Sequence, residues 1–164
     1  MNSPGTDLND IAEDVSLIIV EHAREGVCLD CSFSPENLYI EADAEVLHQV
    51  LDQLIAYAIQ AVFHRRKGAE RFRCIELRSG RRRVRWGTVF VEIAFAGPAL
   101  TEEVKRDIRQ PFMIPREEAA GCVLLRIREQ IECMGGRFQI ESPRTDLGHG
   151  VRFRMLFPDG RHRQ

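Results

Sequence analysis

Apolar residues recur along this chain in three helical stripes separated by short alternating runs. Over residues 7–24, Leu8, Ile11, Ala12, Val15, Ile18 and Ile19 fall three and four apart, the spacing that lines one face of a helix. Thr6 or Asp7 is placed to cap its start, and Gly26 to end it. The second stripe, residues 44–63, is unbroken over five turns, with Val46, Leu47, Val50, Leu51, Leu54, Ile55, Ala58, Ile59 and Val62 on one side. Asp43 stands at its N-cap position, and His48, Gln49, Asp52, Gln53, Tyr57 and Gln60 occupy the other face. A third long helix is predicted over residues 122–133, with Val123, Leu124, Ile127 and Ile131 as core and Gly135-Gly136 as its stop. A shorter helix opens at Thr101, has Glu102 and Glu103 in its first turn, and ends at Pro111.

Between these helices the period falls to two. Residues 27–33 and 38–40 read as strands about a turn at Ser34-Pro35-Glu36-Asn37. Residues 72–78 and 84–95 read as a hairpin joined by Ser79-Gly80-Arg81-Arg82-Arg83. A final hairpin covers 137–142 and 151–157, turning through Gly148-His149-Gly150. Helices follow pairs of strands rather than alternating with single ones. That order predicts an α+β fold, a two-layer α/β sandwich with a mixed β-sheet covered on one face by helices. The expected organisation is one domain over residues 7–158, between a flexible N-terminus (1–6) and a flexible tail (159–164).

Composition narrows the class. A chain of 164 residues, 44% hydrophobic and 29% charged, has the makeup of one ordinary globular domain. No apolar run of membrane-spanning length stands out, and residues 1–10 lack the basic flank and apolar centre of a secretory signal, so a cytoplasmic location is expected. The five cysteines are odd in number and irregular in spacing, a poor disulfide framework. Cys28 and Cys31 form a C-x-x-C without a second pair or nearby histidine, so they read as small hydrophobes in a half-buried strand and no metal is expected.

The net charge of −2 hides an asymmetry: ten of the 23 Lys and Arg residues lie between positions 65 and 85. Arg71, Arg73, Arg78, Arg81, Arg82, Arg83 and Arg85 either keep an edge strand soluble or dock an acidic protein surface. A nucleic-acid module is the third reading, with Phe72 and Trp86 as the interleaved aromatics.

Four phrases, in order and spacing, resemble the ATP-binding catalytic domain of sensor histidine kinases, in the GHKL (HATPase, Bergerat-fold) superfamily. Residues 42–58 look like its N-box helix, and Phe95-Ala96-Gly97-Pro98-Ala99-Leu100 stands where its D-x-G-x-G motif belongs. Gln110-Pro111-Phe112 is similar to the phrase before its nucleotide lid. Gly135 to Ser142, followed by Gly148 to Phe153 and ending at Pro158, is similar to its last hairpin. The resemblance implies a nucleotide pocket lined by Gln49, Gln53, Tyr57, Phe95, Gly97, Ala99, Phe112, Gly121 and Val123.

Those positions depart from the family's chemistry. Two N-box asparagines that help hold Mg²⁺ in active relatives correspond to Gln53 and Tyr57. Magnesium demands compact oxygen ligands in near-octahedral geometry, which a phenol ring obstructs. The adenine-reading aspartate corresponds to Phe95, which cannot accept a hydrogen bond, and the motif's second glycine to Ala99. Three glycines that admit phosphate at a helix start correspond to Ala119, Gly121 and Val123. The expected pocket is a remnant, narrowed by Tyr57 and Phe95.

No helical hairpin bearing a phosphoacceptor histidine is read in the chain, and His22 on the first helix lacks the right context. The expectation is therefore a pseudokinase with no cofactor, acting as an adaptor or regulator in two-component signalling or a phosphorelay. Its partner would be a response regulator receiver domain or a histidine kinase. The rival is a divergent but active kinase or ATPase of the histidine-kinase or anti-sigma-factor-kinase type, using ATP and Mg²⁺. The basic nucleic-acid module remains the third alternative.

Overall fold

The structure is a computed structural model that describes residues 5–22, 26–63, 74–83, 87–109 and 120–163. Its elements in chain order are β1 (Thr6–Asp7), α1 (Leu8–His22), β2 (Cys28–Ser32), β3 (Tyr39–Ile40), α2 (Ala44–Phe63), β4 (Cys74–Arg82), β5 (Thr88–Phe95), α3 (Glu102–Arg109), α4 (Ala120–Cys133), β6 (Arg137–Glu141) and β7 (Val151–Pro158), followed by a 3-10 turn, Gly160–Arg163. The main sheet has the order β2-β4-β5-β7-β6, with β2 parallel to β4 and the other pairs antiparallel. It is mixed, and α1, α2 and α4 pack together with the apolar side of β4, β5 and β7 in one core. The expected α+β sandwich is the observed one.

Local chemistry sets the helix ends. Asp7 Oδ1 accepts from the Asn9 amide and from the Leu38 amide, both at 3.0 Å, and so caps α1 while tying it to the segment before β3. Thr6–Asp7 also pairs with Tyr39–Ile40, so the N-terminal boundary expected to be loose carries a short strand by residue 6. Asp43 Oδ1 accepts from the amides of Glu45 (2.8 Å) and Val46 (3.2 Å), the cap anticipated for α2. The α2 stripe lies against the core, with Leu47, Val50, Leu51, Leu54, Ile55, Ala58, Ile59 and Val62 buried. Contrary to the expectation of no such run, α2 has the length and mean hydropathy (1.3) to cross a membrane, but its apolar face packs against this core.

Four expectations need correction. The residues 79–83 are not a turn: β4 continues through Arg82, and the connection lies between Arg82 and Thr88. Gly80 is mid-strand because the Phe90 ring lies over it, and a Cβ there would come within 2.9 Å of that ring. Cys28 and Cys31 are exposed rather than half-buried, because β2 is the sheet's edge strand. The tail does not fray at 159: Asp159 is buried, contacts Arg81 Nε at 2.6 Å, and donates its amide to the Gly87 carbonyl at 3.0 Å. α4 also starts at Ala120, two residues before the anticipated Cys122.

Candidate nucleotide-binding site

The residues singled out for the pocket come from three elements and one loop. Gln49, Gln53 and Tyr57 are on α2; Phe95 ends β5; Gly97 and Ala99 follow it; Gly121 and Val123 are in the first turns of α4. Phe112 lies outside the described residues, as do Arg71, Arg73 and Arg85 among the basic set.

Strand alternation turns Phe95 inward, where it is fully buried. Tyr57, half-buried, approaches it from α2 with ring centroids 6.1 Å apart, and both meet Phe153 of β7, at 5.5 Å (Tyr57, edge-on) and 5.9 Å (Phe95). Phe138 of β6 stacks on Phe153 at 5.8 Å. These centroid spacings are those of favourable aromatic pairs, each contributing about 0.5–1.5 kcal/mol beyond its buried area. Burial pushes the Tyr57 phenol above its ordinary value, so it stays neutral at physiological pH. Tyr57 and Phe95 are thus brought together, but as part of a core cluster. Gln49 and Gln53 are exposed on α2, whereas Val123 is half-buried and packs on the core.

The main chain beside these rings is closely fitted. The Gly150 amide donates to the Gly97 carbonyl at 2.7 Å. Gly150 has φ 83°, and a Cβ there would stand 2.3 Å from the Phe95 carbonyl oxygen, so only glycine fits. Ser142 Oγ accepts from the Leu100 amide at 2.7 Å, holding the loop after β5 against the turn after β6.

Phe153 and Gly150, in the final hairpin, join these residues although the resemblance does not place them in the pocket. Val151, Phe153 and Met155 alternate with Arg152 and Arg154, and that pattern already turns Phe153 toward the helices.

The opposite face of the sheet carries charge. Glu92 is buried between Arg152 (3.0 Å) and Arg154 (2.6 Å). Arg144, also buried, reaches Glu76 and Asp146, both at 2.7 Å, and Arg152 extends the network to Glu141 (3.0 Å) and Asp146 (3.2 Å). Hydrogen bonds and charge from Arg144, with Arg152 adding charge, hold the Asp146 carboxyl below the usual range. The Thr145 amide and hydroxyl, and then Arg152, do the same for Glu141. Sequence reasoning missed this network, because its members are far apart in the chain.

The basic residues divide. Arg81 is committed internally, to Asp159 and to Glu36, and Arg78 lies 3.7 Å from Glu76. Arg82 and Arg83 are exposed, with Arg82 6.0 Å from the centre of the Phe90 ring.

No protein-family model matches the chain. The sensor histidine kinase ZraS of Klebsiella oxytoca is 28% identical over 153 residues, 93% of this chain and 30% of that protein. The C4-dicarboxylate transport sensor protein DctB of Rhizobium meliloti (strain 1021) is 27% identical over 108 residues, 66% of this chain and 16% of that protein. The chain therefore spans less than a third of the length of either relative. Among solved structures, the nucleotide-free catalytic domain of histidine kinase ThkA gives a TM-score of 0.69 at 26% identity, covering 97% of both chains. ThkA in complex with the response regulator protein TrrA gives 0.67 at 24% identity, over 97% of this chain and 42% of that one.

The fold is that of histidine kinase catalytic domains. By structure and by distant sequence similarity, the chain resembles histidine kinase catalytic (HATPase/GHKL) domains.

Proposed function

We propose that this domain has lost Mg·ATP turnover and acts as a protein-binding adaptor or regulator in two-component signalling. The observation that carries the reading is the contact of Tyr57, Phe95 and Phe153. An adenine-reading group must accept a hydrogen bond from the base, and a ring at position 95 offers none. A Mg²⁺ ion bridging phosphates needs small oxygen ligands on the α2 face, where Tyr57 turns a phenol into the core. Val123 in place of a small residue removes the close backbone approach that phosphate needs at the start of α4. The degenerate cleft then serves as a scaffold without cofactor or metal.

The proposed partner is a receiver domain or a kinase in the cytoplasm. ThkA, which shares this fold, is known in complex with a response regulator. Arg82 and Arg83 supply exposed positive charge for an acidic partner surface.

Titration with a fluorescent ATP analogue, with and without Mg²⁺, tests the reading. The expected result is no saturable signal at micromolar nucleotide; Mg-dependent micromolar binding would establish the active-kinase alternative instead. Calorimetry against candidate receiver domains checks the partner, with binding expected to weaken at high salt.

A further inference from the structure

Cys28 and Cys74 stand side by side at the sheet's edge. β2 runs parallel to β4 in the register that pairs Cys28 with Cys74. Neighbouring strands lie about 4.8 Å apart, inside the roughly 4.4–6.8 Å between Cα atoms that a disulfide spans. The two side chains leave the same face. Both cysteines are free; Cys28 is exposed and Cys74 half-buried. Cys31, three residues after Cys28, leaves the other face and is paired with Leu77, so the C-x-x-C spacing seen in the sequence joins no two thiols here. Among the described residues no group of three His, Cys, Asp or Glu is placed to hold a metal ion.

We infer that Cys28 and Cys74 form a thiol modification site, at which a hydroperoxide converts the pair reversibly into a disulfide stapling β2 to β4. Cys28, the exposed thiol, attacks first as its thiolate. Its sulfur bonds to one peroxide oxygen, the O–O bond breaks, and the departing hydroxide takes the proton Cys28 gave up and leaves as water. The Cys74 sulfur then attacks the Cys28 sulfenic acid: the S–S bond forms, the S–O bond breaks, and hydroxide leaves with the Cys74 proton as a second water. Two thiols and one hydrogen peroxide give one disulfide and two waters, the sulfurs losing the two electrons that the peroxide gains. Burial, then the neighbouring Cys28 thiol, then the carboxylates of Glu76 and Asp30 push the Cys74 thiol up to about 12, so the first attack falls to Cys28. The staple closes a loop that contains all of α2, so it stabilises the fold by restricting the unfolded chain.

The test is peptide mass mapping, without reductant, of the full chain after hydrogen peroxide treatment. A Cys28–Cys74 cross-linked peptide is expected, reversed by dithiothreitol and retained in a Cys31→Ser/Cys133→Ser variant. In Cys74→Ser the cross-link should vanish and dimedone should trap a sulfenic acid on Cys28. The oxidised wild type should melt higher by roughly 5–10 °C, a shift lost on reduction. A cross-link between any other pair, or oxidation at Cys133 while Cys28 and Cys74 stay free, would overturn the assignment.

Discussion

Phe95 and Glu92 sit three residues apart on β5 and face opposite ways. Toward the helices, Phe95 joins Tyr57 and Phe153 in a cluster of three rings. Away from them, Glu92 is gripped by Arg152 and Arg154 of the adjacent strand. Every charged side chain of β5 and β7 (Glu92, Arg152 and Arg154) belongs to that second face and is ion-paired. Strand alternation therefore sorts the chemistry. The side shared with α2 holds its place by packing, and the strand charges are consumed on the side without helices.

The comparison can be broken from either face. The largest effect is expected on the helix side: Phe153→Ala removes the ring that contacts Tyr57, Phe95 and Phe138, and should cost about 3–5 kcal/mol in urea unfolding. A loss below about 1 kcal/mol would mean that the cluster is not core. On the charged side, Arg144→Ala leaves Glu76 and Asp146 without their shared partner. A loss of roughly 3 kcal/mol is expected, at the low end for a buried pair because Asp146 is half exposed.

Acid should sharpen the contrast with a smaller effect. Asp146 and Glu141 titrate below their ordinary values in the folded chain. Their contribution is thus present above the unfolded carboxylate value of about 4 and is lost as pH falls through the folded values. Stability measured from pH 6 downward should fall below about pH 4, and Asp146→Asn should flatten that slope while leaving Phe153→Ala variants unaffected in shape.

Much of this arrangement was legible in the sequence, for reasons that vary by element. The α2 stripe gave the observed limits, Ala44–Phe63, because apolar positions recur without interruption and Asp43 supplies a cap. The alternation of β7 already aimed Phe153 inward and Arg152 and Arg154 outward. The β4–β5 connection was misplaced because Ser79-Gly80 has turn chemistry, and only the position of Phe90 across the ladder explains a glycine in mid-strand. Arg81 had the look of a docking residue; its commitment to Asp159, 78 positions away, depends on how the chain end returns beside β4. The Cys28–Cys74 contact likewise depends on strand register, which neither residue's local sequence specifies. Tyr57 and Phe95 came together as site residues through family resemblance, since spacing alone reads Tyr57 as part of a polar helix face.

Adding Mg·ATP to the isotope-labelled full chain and following the backbone amides of Tyr57, Gly97 and Gly150 by NMR addresses the aromatic cleft directly. No saturable shift at these three amides is predicted up to millimolar nucleotide. Concerted shifts at all three, saturating at micromolar nucleotide and abolished by removing Mg²⁺, would contradict it.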